Sequence, residues 1–216
     1  MGAFITFEGP DGTGKTTQIA RLAERLQQAG YDVVTTREPG GTAIGDRVRS
    51  ILLDPVLQDW SFEAEILLYA AARAQHVHQV IQPALAKGKI VLCDRFLDAS
   101  IAYQSSGNGF PLDAVMNANA LAIRGIQPNR TYMLMLSPEA AQQRMLKRNL
   151  QMGTVSDRIE QKPTAFHQRV YDGFQKIADE NPQRVCLVNA DQTVDAIASQ
   201  IFMDCQAFLA KVKIEE

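Results

Sequence analysis

Nine residues near the amino terminus carry the clearest chemistry in the chain: Gly9-Pro10-Asp11-Gly12-Thr13-Gly14-Lys15-Thr16-Thr17. They complete the pattern G-x-x-x-x-G-K-[ST]. Glycines at these positions let backbone N–H groups turn inward around phosphate oxygens. A helix starting at Lys15 adds the positive end of its dipole. Lys15 would reach the outer phosphates of a nucleoside triphosphate, and the Thr16 hydroxyl would ligate Mg²⁺. The stretch Gly9–Thr17 is therefore expected to bind a nucleoside triphosphate. No N-K-x-D guanine reader occurs anywhere in the chain, which argues against a GTPase.

A second group of residues suits a second anion. Arg37 and Arg95 directly follow expected strand ends, where ligands bind in open α/β sheets. Arg47 and Arg49 come shortly after the first of them. A guanidinium fork matches phosphate oxygens in pairs. Tyr69 and Arg73 are four apart on an expected helix, so they share a face that could stack on a base and donate to its edge. Taken singly, Tyr69 reads equally well as core and Arg73 as its snorkelling neighbour.

Elements that hold these residues follow from the apolar pattern. Strands are expected at 4–7, 32–36, 90–94, 131–136 and 184–188, the third ending in Asp94. Helices are expected at 15–29, 43–53, 61–86 and 194–212, the last with a packing stripe of Ile197, Ile201, Phe208 and Leu209. Alternating β and α units predict a five-stranded parallel sheet with helices on both faces. The stretch from Asn149 to Ser156 lacks periodicity and reads as a mobile lid. Met133, Met135 and Met145 read as core filling. His76, His78 and His167 read as surface residues.

Composition bounds the function. The chain has 216 residues, 22 Lys+Arg against 24 Asp+Glu, and a net charge of -2. A basic excess for nucleic acid is missing. Three separated cysteines and three histidines offer little for zinc and fit a reducing compartment with buried thiols. No apolar run is long enough to span a bilayer, and the first strand is too short for a leader. A cytoplasmic protein without nucleic-acid or membrane partners is expected.

Ordered motifs covering nearly the full length add a resemblance. These are Phe7-Glu8-Gly9 through Thr16, Arg37-Glu38-Pro39-Gly40-Gly41-Thr42, Tyr69-Ala70-Ala71-Ala72-Arg73, Asp94-Arg95-Phe96 with Ser100 and Ala102-Tyr103-Gln104, and Asp157-Arg158-Ile159-Glu160. With them the chain resembles the thymidylate kinase family, bacterial type. The resemblance implies a P-loop nucleoside monophosphate kinase fold, one kinase domain over 1–216 with a lid at about 148–158. It also implies a homodimer and transfer of the ATP γ-phosphate to dTMP, with Mg²⁺, on the way to dTTP. It further implies that Asp11 contacts the sugar 3′-hydroxyl and helps hold Mg²⁺, and that Arg37 and Arg95 hold the acceptor phosphate. Tyr69 would stack on thymine, Arg73 would donate to its carbonyl, and Ser100 and Gln104 would add polar contacts. Tyr103 would crowd the 2′ carbon.

Family members carry a charge-stabilising arginine either in the phosphate loop or in the lid. The loop position here is Gly12, and the centre of the lid has no basic residue. Arg148 and Arg158, at the two ends of the lid, are the candidates. With Lys15, Asp11 and Arg95 they make the expected catalytic set. Two rivals stay open: a P-loop kinase for another nucleotide or nucleoside, and a P-loop ATPase that works on a protein partner.

Overall fold

A computed structural model describes residues 2–214. Strands β1 (Ala3–Glu8), β2 (Val33–Arg37), β3 (Ile90–Asp94), β4 (Arg130–Met135) and β5 (Val185–Asn189) form one sheet. The order is β2-β3-β1-β4-β5 and every pairing is parallel. This matches the expected α/β architecture. β1 lies centrally, where the chain passes from one half of the sheet to the other, so the loop after it opens at the switch point that α/β folds use for ligands.

Alternation along β1 divides the core. Ile5 and Phe7 pack with Leu92, Tyr132 and Leu134 beneath α1 (Lys15–Gln28) and α9 (Val194–Ile214). Phe4 faces the opposite side with Val91, Cys93 and Phe96. Near the β4–β5 end, Met133 and Val185 meet α8 (Thr164–Glu180) through Val170 and Phe174. The expected stripe of α9 is present: Ile197, Ile201 and Leu209 are buried, and Phe208 packs beside them.

Three helical features depart from the sequence reading. The helix expected over 61–86 is built as α3 (Phe62–His76), a π turn (Val77–Ile81) and α4 (Gln82–Ala86). The Gln82 N–H reaches the Val77 carbonyl, five residues back, immediately before Pro83 removes a donor. α5 (Leu97–Ser100) and a π segment (Ile101–Gly107) follow β3 directly, and α6 (Leu112–Ile123) comes next. None of these three was anticipated, because apolar and polar residues mix there without a clean period. Third, α7 (Pro138–Met152), capped by the Ser137 hydroxyl, runs through half of the segment read as irregular. Gly153, left-handed at φ 61°, ends it by donating to the Asn149 carbonyl.

Candidate active site

The loop joining β1 to α1 wraps closely over the sheet. A Cβ on Gly9 (φ 123°) would meet the Leu134 carbonyl oxygen at 2.1 Å. One on Gly12 (φ 80°) would meet the Ala141 carbonyl oxygen at 2.5 Å. Glycine is thus required at both positions, and this backbone has no room for an arginine at 12. Pro10 and Thr13 are buried, and the Thr13 hydroxyl donates to the Pro10 carbonyl. Gly14 caps α1 in the left-handed region. Lys15 folds its ammonium back onto the Gly9 and Pro10 carbonyls at 3.1 and 2.7 Å. Burial, reinforced by neighbouring Arg95, pushes that amine down to about 8. Thr16 donates its hydroxyl to Asp94 Oδ2 at 2.8 Å, and Thr17 lines the same cavity.

Two cavities open above the strand ends. The smaller, of ≈ 550 Å³, is lined by Tyr69, Arg73, Ser100, Tyr103 and Gln104. The larger, of ≈ 2030 Å³, is lined by Gly12, Gly14, Lys15, Thr16, Thr17, Arg37, Asp94, Arg144 and Arg148. Asp11, Arg49 and Arg95 border both. Glu38 and Asp157 border both as well, so a group at that junction would lie between the two chambers among acids and arginines.

Arg95 is the best-fixed cation there. Its backbone sits at φ 70°, a costly conformation for a residue with a Cβ. The Arg95 N–H donates to the Phe7 carbonyl at 2.9 Å. The next N–H, of Phe96, donates to Glu8 Oε1 at 2.7 Å. The guanidinium bonds the Gly9 carbonyl, Asp11 Oδ1 (2.7 Å) and Tyr103 Oη (3.1 Å), and lies 4.9 Å over the Tyr103 ring. Tyr103 in turn donates to Asp11 Oδ2 at 2.8 Å. Burial alone would raise the Asp11 carboxyl, but Arg95 and Lys15 outweigh it and hold Asp11 well below the usual carboxylate range. Phe166 and Phe174 of α8 support the Tyr103 ring from behind.

Arg73 is placed on the cavity wall beside Tyr69 but is heavily engaged. Its Nε donates to Glu38 Oε2 (2.7 Å), Nη1 to Ser100 Oγ (3.1 Å) and to Asn119 Oδ1, and Nη2 to the Phe96 carbonyl (2.9 Å). Four of five N–H groups are spent, leaving one on Nη2. Burial pushes the Tyr69 phenol up, so it stays protonated.

Several sequence expectations are corrected by these positions. Arg37 does not border the smaller cavity. It stands at the rim of the larger one, 58% exposed and 3.3 Å from Asp46. Arg158 is turned away from both cavities: it is buried, pairs with Glu65 Oε2 at 2.9 Å and donates to the Leu52 carbonyl. Arg148 lines the large cavity, half-exposed at 48%, and reaches Glu160 at 2.5 Å. His76 is not a surface residue. It is fully buried, with Nδ1 on Glu38 Oε1 at 2.9 Å and Nε2 on Thr36 Oγ1 at 2.6 Å.

Other residues at the site were missed. Glu38, Asn119 and His76 brace Arg73, and only the three-dimensional fold brings them there. Asp94 was visible as an acid ending an apolar strand. Arg144 is one turn before Arg148 and so shares its helix face. Glu8 is entirely buried with Oε2 unpartnered among the described residues. Burial, aided by Asp98, pushes its carboxyl up to about 8 from 4.5. The folded state therefore retains a proton that the unfolded chain releases, and this contribution to stability is lost as pH rises through 8. Glu8→Gln is expected to flatten the fall in stability between about pH 4.5 and 8. Chemical denaturation across that range tests it, and an unaltered slope would refute it.

Comparison with known proteins agrees with this geometry. A family model described as Thymidylate kinase matches residues 7–201. The chain belongs to the thymidylate kinase family. A thymidylate kinase of Exiguobacterium sibiricum is 50% identical over 210 residues, 97% of each chain. A thymidylate kinase of Synechococcus sp. is 47% identical, covering 92% of this chain and 93% of its own. One of Geotalea uraniireducens is 44% identical, covering 98% and 100%. Within this thymidylate kinase fold, the backbone at Gly12 excludes an arginine from the β1–α1 loop.

Proposed function

We propose that the two cavities bind ATP and dTMP and that the chain transfers the γ-phosphate of ATP to dTMP, giving ADP and dTDP. The observation that carries this reading is the junction at Asp11 and Arg95, which borders a phosphate loop on one side and an aromatic, hydrogen-bonding chamber on the other. The acceptor nucleophile is a phosphate oxygen. With its second pKa near 6, a phosphate monoester is mostly dianionic at neutral pH and needs no base. What remains is in-line positioning and neutralisation of charge.

ATP phosphates lie along Gly9–Thr17 with Lys15 on the outer ones. Arg95 holds the acceptor phosphate at the cavity junction with Arg49 in support, and Arg37 reaches toward it from the rim of the larger cavity. Asp11, fixed by Arg95 and Tyr103, accepts from the sugar hydroxyl. Tyr69 stacks on the base, and Arg73, Ser100 and Gln104 meet its polar edge. Arg148 closes over the transferred phosphate from the lid, which comprises about 148–158.

Among the described residues no cluster of three or more His, Cys, Asp or Glu can hold a metal ion. Thr16 Oγ1 and Asp94 Oδ2, 2.8 Å apart, are two hard oxygen donors beside the phosphate loop. That set suits Mg²⁺, which keeps waters and phosphate oxygens and takes few protein ligands. Thr16 and Asp94 would hold it, with Asp11 nearby, and the ion would neutralise the β- and γ-oxygens. Chelating divalent ions is expected to stop dTDP formation in a chromatographic assay, with full recovery on adding Mg²⁺. Turnover in the presence of the chelator would contradict this.

No helix among the described residues is long and apolar enough to cross a membrane. A homodimer fits the exposed apolar side chains on three neighbouring helices: Ile44 of α2 (Ala43–Leu53), Leu67 of α3 and Leu121 of α6, exposed by 58%, 59% and 86%. Leu67 belongs to the helix surface expected from the sequence, whereas its neighbour Ile66 is buried in the protomer. Sedimentation should show a dimer that Leu67→Glu dissociates; a monomeric wild type would dismiss it.

A further inference from the structure

Glu65 lies on α3, outside both cavities, and is buried. Both of its oxygens are engaged. Oε1 takes hydrogens from Gln104 Nε2 (3.3 Å) and Asn108 Nδ2 (3.0 Å). Oε2 pairs with Arg158 Nη1 at 2.9 Å. Arg158 is itself held by the Leu52 carbonyl at 2.8 Å and lies 5.0 Å over the Trp60 ring.

We propose that Glu65 is a specificity-determining positioning residue: through Gln104 it makes the acceptor chamber select pyrimidines that carry a hydrogen on N3. The inference rests on the dTMP reading above and deepens it. A carboxylate paired with Arg158 only accepts hydrogen bonds, so the Gln104 amide must turn its nitrogen toward it. Oε1 is then the amide atom left for the chamber, and no hydrogen bond from another described residue reaches it. Arg73, on the same wall, has one donor left, because Glu38, Ser100, Asn119 and Phe96 occupy the rest. The Ser100 hydroxyl on this wall can donate or accept and so does not discriminate, whereas Gln104 Oε1 is the fixed acceptor and Arg73 Nη2 the fixed donor. Thymine answers with N3–H and O4. Cytosine presents the opposite pair, an acceptor at N3 and an amine at C4, and would leave buried polar groups facing like groups.

A glutamine at 65 offers either a carbonyl or an amine to Gln104, so the Gln104 amide is free to turn over. The test compares kcat/KM for dTMP and dCMP in wild type, Glu65→Gln, and the paired variant Glu65→Gln/Arg158→Met. The paired variant removes both charges of the buried pair and guards against a failure to fold caused by an unpaired Arg158. In folded protein, checked by thermal melting, the dTMP:dCMP preference is expected to fall about tenfold, chiefly through KM. A merely structural role for Glu65 would lower both substrates alike and leave the ratio untouched. Wild type active on dTMP with an unchanged ratio in the variants overturns this inference alone. Wild type inactive on dTMP overturns the acceptor reading and this inference with it.

Discussion

Arg148→Ala is expected to lower kcat by about a thousandfold while KM for dTMP changes little, because an arginine that meets charge only in the transition state contributes 10³–10⁵ to rate. Three observations single out Arg148. The phosphate loop cannot carry the cation, since a Cβ at Gly12 would strike the Ala141 carbonyl oxygen at 2.5 Å. Arg158 is committed to Glu65 and the Leu52 carbonyl. Arg148 lines the cavity that also contains Lys15 and Thr16, and its present partner, Glu160, borders the same space. Exchange of Glu160 for a phosphate oxygen is a short move for a half-exposed side chain. Arg158→Ala should behave differently. It strands the Glu65 carboxylate in the interior, so the loss is one of stability, of the order of 3–5 kcal/mol for one partner of a buried pair. Steady-state kinetics and thermal melting of the two variants distinguish them. Near-normal kcat in Arg148→Ala would move the role to another residue, with Arg144 the next cation on the same helix face.

Arg95→Ala is expected to reduce kcat/KM for dTMP by at least about a hundredfold, the cost of removing one preorganised donor. The loss is compound. The acceptor phosphate loses its fork, and Asp11 loses the partner that keeps it ionised and oriented. Tyr103 is left with Asp11 alone. Arg95→Lys should recover only a small part, since one ammonium cannot span the Gly9 carbonyl, Asp11 and Tyr103 together. Initial-rate measurements over a dTMP series check both variants. Full activity of Arg95→Lys would show that charge alone, without the fork, is sufficient.

The loop joining β1 to α1 was legible because its signals are local: close glycine spacing, with a strand ending at Glu8 just before it and a helix starting at Lys15. The parallel sheet was legible from apolar runs such as Ile90–Cys93, which are buried on both faces. Tyr69 and Arg73 were legible as a pair through helical spacing. Long-range bracing was not. Glu38 and His76 are 38 residues apart and Asn119 is 46 from Arg73, so no spacing rule connects them. His76 was misread because a histidine on a polar stretch of helix gives no sign of what packs over it. Arg158 was misassigned for a related reason: an arginine beside a lid motif reads as catalytic until its buried partner on α3 is seen. The helical course of residues 97–107 was hidden because a π segment breaks the 3.6-residue period, and that of 112–123 because apolar and polar residues mix there without a clean period.

The most direct measurement is ADP and nucleoside diphosphate formation from ATP with dTMP, dUMP, dCMP, GMP or thymidine as acceptor, alongside ATP alone. dTMP is expected to give the highest kcat/KM, with dTDP and ADP formed in equal amounts and little ATP consumed without an acceptor. A better acceptor than dTMP would make the chain a kinase for another substrate, and ATP hydrolysis indifferent to every acceptor would make it an ATPase; either result would contradict the function proposed for this site.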